Sequence, residues 1–178
     1  MSVGVGAEQQ QVTGVMVHHS AVASNEGEDE AERLQGYQRY HQEQGWPDIA
    51  YHVGVGRSGR LYELRDPALV GDTFTEYDPA GWFLVLVDGH FDEQAPPDAQ
   101  LDGLVEVLAW ASARFAVPLD DLASHRDVAA TTCPGERLFR RLPDIGAEAS
   151  RLAASGGVQL EPTCPSDDLA DAWRPEET

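Results

Sequence analysis

The chain has 178 residues and a hydrophobic fraction of 42%, enough for one domain with a real core and too little for a chain of several. It carries 31 acidic against 12 basic residues, a formal net charge of −19, and every basic residue is Arg. Such a chain repels phosphate backbones and anionic lipid surfaces, so neither nucleic acid nor a membrane is expected as a partner, and no apolar run reaches the eighteen residues of a transmembrane helix.

In chain order, "MSVGVGAEQQQ" has neither the basic start nor the apolar stretch of a signal peptide. Residues 1–11 read as a flexible leader. Localisation stays open among a mature chain numbered from its own start, a chain made in the cytoplasm and released by lysis or a non-classical route, and one that stays inside. "VTGVMVHHS" (12–20) is short, β-branched and apolar, and predicts a strand. "EGEDEAERLQGYQRYHQEQGW" (26–46) predicts a helix. Its acidic start suits the helix dipole, Leu34, Tyr37 and His41 share one face, and Gly45 is a stop. "IAYHVGVGRSGRLYELRD" (49–66) predicts a β-hairpin around a Ser-Gly turn. "GWFLVLVDG" (81–89) is a near-continuous apolar run, as a strand covered on both faces requires. "PPDAQLDGLVEVLAWASARF" (96–115) predicts a second helix, capped by Asp98, with Leu101, Leu104, Val105, Leu108 and Phe115 on its buried stripe. Short helices follow in "CPGERLFRRL" and "PDIGAEASRLAAS". Residues 156–178 are rich in Gly, Pro and acidic residues and read as a mobile tail. The order of elements predicts an α/β domain over about 12–155, with a single central mixed sheet flanked by helices on both faces. A monomer is expected.

The chemistry lies among six histidines and two cysteines. His18 and His19 end the first strand, where alternation lets only one of them join a given site. His125 and Cys133 lie eight residues apart in "SHRDVAATTCPGE", a loop long enough to fold back on itself. Two His and one Cys make a workable zinc set that leaves a fourth position for water. Cys133 could instead pair with Cys164 in "LEPTCPSDD". A cysteine-protease reading of Cys133 and His125 would need a free thiolate and a free imidazole.

Three blocks, "VHHS", "GWPDIAYHVGVGRSGRLYELRD" and "SHRDVAATTCPGERL", resemble in order and spacing the zinc-dependent N-acetylmuramoyl-L-alanine amidases of type 2, a family that includes phage lysozyme-like amidases and peptidoglycan recognition proteins. The resemblance covers about residues 12–145. It implies the fold of the peptidoglycan recognition proteins and Zn²⁺ as cofactor, held by His18, His125 and Cys133. It implies that Tyr51, in "DIAYHV", is the catalytic tyrosine. Two residues before the cysteine the family carries Lys or Thr, which here is Thr131, a second donor to the oxyanion. The implied partner is peptidoglycan or a muropeptide, and the implied reaction is hydrolysis of the amide between the lactyl group of N-acetylmuramic acid and L-alanine.

The middle of the chain departs from the pattern. Where the family usually has a groove His and Asn, "GDTFTEYD" places Thr73 and Asp78. His90 stands where a turn Asn is usual. Asp78 adds a negative charge, which would favour a cationic or amidated stem peptide. Trp46 and His41 are further candidates for the substrate groove, and Arg126 for ordering the His125 loop. Two readings compete with the amidase. One is a recognition module that binds peptidoglycan without cutting it, and whose known non-catalytic relatives typically lose the cysteine. The other is a regulatory partner on the same fold, using the acidic surface.

Overall fold

The computed structural model describes residues 8–120, 122–156 and 158–160. Five strands form one sheet in the order β3-β2-β4-β1-β5. They are β1 (Gly14–His19), β2 (Val53–Val55), β3 (Leu61–Glu63), β4 (Trp82–Val87) and β5 (Ala123–Ser124). β1 pairs with β4 and with β5 in parallel, and β2 pairs with β4 in parallel; only the β2–β3 hairpin is antiparallel. Parallel strands need cover on both faces, and both are covered. Val15, Val17, Val53, Val55, Phe83, Val85 and Val87 pack with helix α2 (Asp98–Phe115) and helix α5 (Leu142–Ala154) in the main core. On the opposite face, helix α1 (Glu30–Glu43) lays Leu34 over Gly54, where a side chain on β2 would press into its methyl groups. The mixed sheet with helices on both faces is as the sequence predicts.

α1 is shorter at its start than the acidic run suggested. Asp29 takes the cap position and accepts the Glu32 N–H at 3.0 Å, so the acidic residues before it remain outside the helix. α2 differs at the same point: Pro97, not Asp98, precedes the first turn, and no side chain caps it. The missing cap costs about 1 kcal/mol. Leu101, Leu104, Val105 and Leu108 are all buried, at about 1.5–3 kcal/mol each, so packing decides that this segment is helical. The hairpin turn seats against the same helix. Gly59, at φ +85°, and Gly103 touch so closely that a Cβ on either would lie 2.3 Å from a backbone oxygen.

Both expected ends of the domain extend further than composition indicates. Residues 8–11, placed in the leader by sequence, are tied to the body. Gln9 bridges Leu69, Val70 N–H donates to the Glu8 carbonyl, and the Gln10 amide donates to the Pro67 and Leu69 carbonyls. Val158 and Leu160, placed in the tail, pack on the core. Residues 161–178, including Cys164, lie outside the described ones, so the pairing considered for Cys133 does too. Among the described residues no helix is long and apolar enough to cross a membrane.

Two buried polar centres hold the sheet end where the histidines lie. Asp88, just after β4, is buried; it accepts hydrogen bonds from Arg33 Nε (2.7 Å), Tyr37 (2.7 Å) and Ser20 (2.9 Å), fastening α1 to the ends of β1 and β4. Arg65 is 2% exposed and donates to the Val70 and Asp48 carbonyls and to the Asp72 carboxylate. That fixes the start of the segment that follows Asp72.

His52, also buried, joins β2 to its surroundings as a neutral ring. Its Nδ1 accepts the Leu84 N–H at 2.8 Å and its Nε2 lies 2.9 Å from the Leu69 carbonyl, to which it donates. Burial lowers its pKa to about 4. The unfolded chain takes up this proton near pH 6.5 and the folded one resists it until about 4. Stability from this group is therefore complete above about pH 6.5 and is lost as pH falls toward 4, by up to about 3 kcal/mol. Urea unfolding at neutral and at mildly acid pH should show this loss, and His52→Gln should make the acid decline shallower. An unchanged decline would remove His52 from the account.

Candidate metal centre and active site

The site lies at the carboxyl ends of the parallel strands, where open α/β sheets commonly bind ligands. β1 ends on His18 and His19. Because successive strand side chains alternate, His18 faces the α1 side. His19 turns to the other face, against Phe91 at 6.1 Å and His90 at 5.7 Å between ring centres. β5 ends on Ser124, and His125 opens the short helix α3 (His125–Val128). Asp127 Oδ2 accepts both the Ser124 N–H (2.7 Å) and the Ser124 hydroxyl (2.6 Å), a capping box that fixes where this helix starts.

The chain then folds back to Cys133, and Arg126 holds that loop. Its backbone N–H, in the first turn of α3, donates to the Cys133 carbonyl at 3.0 Å, while its guanidinium donates to the Thr132 carbonyl, pairs with Glu136 at 2.8 Å and lies 4.2 Å over the Phe139 ring. The ordering role expected for Arg126 is what these contacts describe.

His18, His125 and Cys133 converge, with one ligand atom from each within 4.8 Å of the others. The two imidazole centres are 4.7 Å apart, and His18 Nδ1 is 3.8 Å from Cys133 Sγ. Nitrogen and sulfur ligands of one tetrahedral zinc ion stand roughly 3.5 Å apart given ordinary bond lengths, so the spacing fits a single ion. His18 Nε2 is buried with no hydrogen-bond partner among the described residues, which leaves the ring short of a partner. The electrostatics also suit a cation. Burial, with His125 and His19 nearby, holds His18 well below its ordinary pKa, and burial lowers His125 too, so both rings are neutral at pH 7. Burial pushes the Cys133 thiol up to about 12, outweighing the His19 N–H that donates to its sulfur at 3.3 Å. A thiol in that state is no nucleophile at neutral pH, which disfavours the protease reading. A bound cation is what would make it a thiolate.

Tyr51 packs on this cluster, its ring centre 5.2 Å from His18. Burial raises its phenol far above the ordinary value, so it stays protonated. Thr131 is within the loop, and its oxygen accepts the Cys133 N–H at 3.2 Å; its own hydroxyl proton remains free. His41 is buried and packed: Nδ1 accepts the Ala50 N–H at 3.1 Å, and the ring lies between Trp46 (4.8 Å) and Tyr51 (5.9 Å). Trp46 stacks on Phe74 at 4.1 Å, and Phe74 and Tyr40 are exposed beside it. Asp78 is exposed, and its carboxylate accepts the Ala80 N–H at 2.9 Å. It caps a turn rather than lining the cluster.

The segment 73–78 also supplies residues that motif matching passed over. Thr73, Thr75 and Tyr77 are half-buried while Phe74, Glu76 and Asp78 are exposed. Tyr77 stands 5.2 Å from His125 and 6.5 Å from His18, and the Thr75 hydroxyl lies 2.7 Å from His125 Nε2. The period of two in "TFTEYD" was the available signal.

An α/β domain with a His, His, Cys group that could hold a metal ion at the carboxyl ends of its strands is the class that fold and site define. The profile of the family described as N-acetylmuramoyl-L-alanine amidase matches residues 8–136, and the chain belongs to that family. Peptidoglycan-recognition protein LB of Drosophila melanogaster is 31% identical over 132 residues, covering 72% of this chain and 56% of that protein. N-acetylmuramoyl-L-alanine amidase of Sus scrofa is 31% identical over 132 residues, covering 71% of this chain and 22% of that protein. The chain thus spans little more than half of one relative and under a quarter of the other. Among solved structures, wild-type Drosophila peptidoglycan recognition protein LB superposes with a TM-score of 0.69 at 28% identity over 77% of this chain and 84% of that one. The amidase LysC from Clostridium intestinale, at 23% identity and a TM-score of 0.67 over 81% and 91%, shares the fold.

The geometry predicts that one equivalent of Co²⁺ produces thiolate-to-metal charge-transfer absorption in the near ultraviolet, and that Cys133→Ser removes it. Absence of the band in the parent protein would show that the three groups do not act as one ligand set.

Proposed function

We propose that this chain is a zinc-dependent N-acetylmuramoyl-L-alanine amidase. Its substrate on this reading is peptidoglycan or a muropeptide, cut between the lactyl carbonyl of N-acetylmuramic acid and L-alanine. The observation that carries the reading is the convergence of His18, His125 and Cys133 with Tyr51 packed against them. The matching family, and relatives named as amidases, support it.

His18, His125 and Cys133 would hold the ion, beside the Tyr51 ring. Zinc, when bound, supplies a Lewis acid and lowers the pKa of water to near neutrality. The protein supplies the rest. Tyr51 carries its proton throughout the neutral range and would donate a hydrogen bond to the lactyl oxygen as charge develops on it. Thr131 already spends its oxygen on the Cys133 N–H, so its hydroxyl proton is available as a second donor. Tyr77, its ring 5.2 Å from that of His125 and 6.5 Å from that of His18, would limit water beside the cluster. Trp46 and Phe74 present aromatic faces at the rim, suited to the apolar face of a sugar or to an alkyl stretch of stem peptide.

The competing reading is a module that binds peptidoglycan without cleaving it. A peptidoglycan recognition protein LB variant was solved in complex with tracheal cytotoxin, as was the ectodomain complex of recognition proteins LCa and LCx. Binding thus has precedent on this fold without reference to cleavage. The intact cysteine favours the amidase.

Muropeptide digestion separates the two. The zinc-loaded protein should release stem peptide with a free L-alanine amine, and a chelator should stop release. Tyr51→Phe should lower kcat about 100-fold with KM little changed. Retention of muropeptide with no released peptide from the zinc-loaded protein would establish the recognition module instead.

A further inference from the structure

The two histidines of the cluster are not supported alike. Apart from its ligand-side contact with Cys133, the His18 ring has no hydrogen-bond partner among the described residues. His125 has one. Its Nε2 lies 2.7 Å from the hydroxyl of Thr75, which stands fifty residues away in sequence on a different wall of the site. The hydroxyl is held in turn. Thr73 Oγ1 is 2.9 Å from Thr75 Oγ1 and also accepts the Thr75 backbone N–H at 3.1 Å. Arg65, through Asp72, anchors the residue just before Thr73.

Counting protons fixes the sense of this chain. A histidine binds a metal through an unprotonated nitrogen, and its other nitrogen then carries the hydrogen. With Nε2 engaged by Thr75, the nitrogen left for a metal is Nδ1. Nε2–H then donates to Thr75 Oγ1, and the Thr75 hydroxyl must donate onward to Thr73 Oγ1. Thr73 Oγ1 has two lone pairs, and they are filled by the Thr75 hydroxyl and the Thr75 N–H. The His125 Nε2–H and the Thr75 hydroxyl hydrogen both run away from Nδ1, which keeps its lone pair for the metal. If the hydroxyls ran the other way, Thr75 would donate to Nε2, Nδ1 would carry the hydrogen, and the ring could not ligate.

We propose that Thr75 is the positioning residue for His125, its hydroxyl accepting the Nε2–H so that Nδ1 is presented to the metal, with Thr73 holding that hydroxyl in place. The proposal rests on the metal-centre reading above. It also gives Thr73, which stands where related chains carry a groove histidine, a task inside the site rather than toward substrate.

Two measurements test it, neither of them activity. Long-range ¹H–¹⁵N spectra of the zinc-loaded protein should show His125 coordinated through Nδ1 with its hydrogen on Nε2; coordination through Nε2 overturns the proposal, and no variant is needed to see it. Competition with a chromophoric chelator should show Thr75→Val binding zinc about 10–100-fold more weakly, with Thr75→Ser close to the parent and the metal-free melting temperature unchanged among all three. Zinc affinity of Thr75→Val equal to the parent's, or a loss in Thr75→Ser as large as in Thr75→Val, overturns the positioning role and leaves the metal centre standing. A parent protein that binds no zinc overturns both.

Discussion

The parallel register of β1 on β4 is the constraint on which the site depends. Six consecutive residues pair, from Gly14 with Trp82 to His19 with Val87. The pairing sets where β1 ends, and the pleat then sends His18 to one face and His19 to the other. A slip of one residue would exchange them and bring the wrong ring to Cys133. The register is held by burial on both sides: Met16, Val17, Leu84, Val85 and Val87 are fully enclosed. β5 adds two residues on the far edge of β1, and those two suffice to deliver His125 at the same end of the sheet.

Around that frame the protein arranges neutral groups where a cation would sit and charged groups where they fasten loops. His18 and His125 are kept unprotonated by burial, and the Cys133 thiol is kept protonated by the same burial. A metal would reverse only the last of these, releasing one proton as it binds. The charges instead sit one layer out. Asp88 with Arg33 fastens α1, Arg65 with Asp72 fastens the 73–77 segment, and Arg126 with Glu136 fastens the cysteine loop. Each pair also bonds backbone or hydroxyl groups, so it defines geometry as well as neutralising charge.

The elements followed from the sequence where the signal was apolar and local. The run at 81–89 contains β4, and the stripe of α2 is buried at Leu101, Leu104, Val105 and Leu108 with Phe115 half-buried at its end, because burial dominates both. The boundaries did not. The acidic residues before Asp29 look as favourable to a helix as those after it, and only the cap geometry separates them. Residues 8–11 carry no local sign of their attachment; in the fold, Gln10 donates to the Pro67 and Leu69 carbonyls, the second of which also accepts from His52. Asp78 departs from the family pattern, yet its carboxylate is spent on its own turn. Thr75 belongs to no motif, although its hydroxyl meets a ring of the cluster.

The sequence by itself determined the chemical inventory: a pair of histidines ending one strand, a histidine and a cysteine in one loop, and a tyrosine in a third block. It also determined the α/β class, since apolar periodicity is written in neighbouring residues. Tertiary structure decided which residues support that inventory. Thr75 meets His125 across fifty residues, and the His19 N–H meets the Cys133 sulfur across more than a hundred. Contacts of that kind depend on the order of strands in the sheet and on where loops are anchored, and neither is encoded in any local pattern.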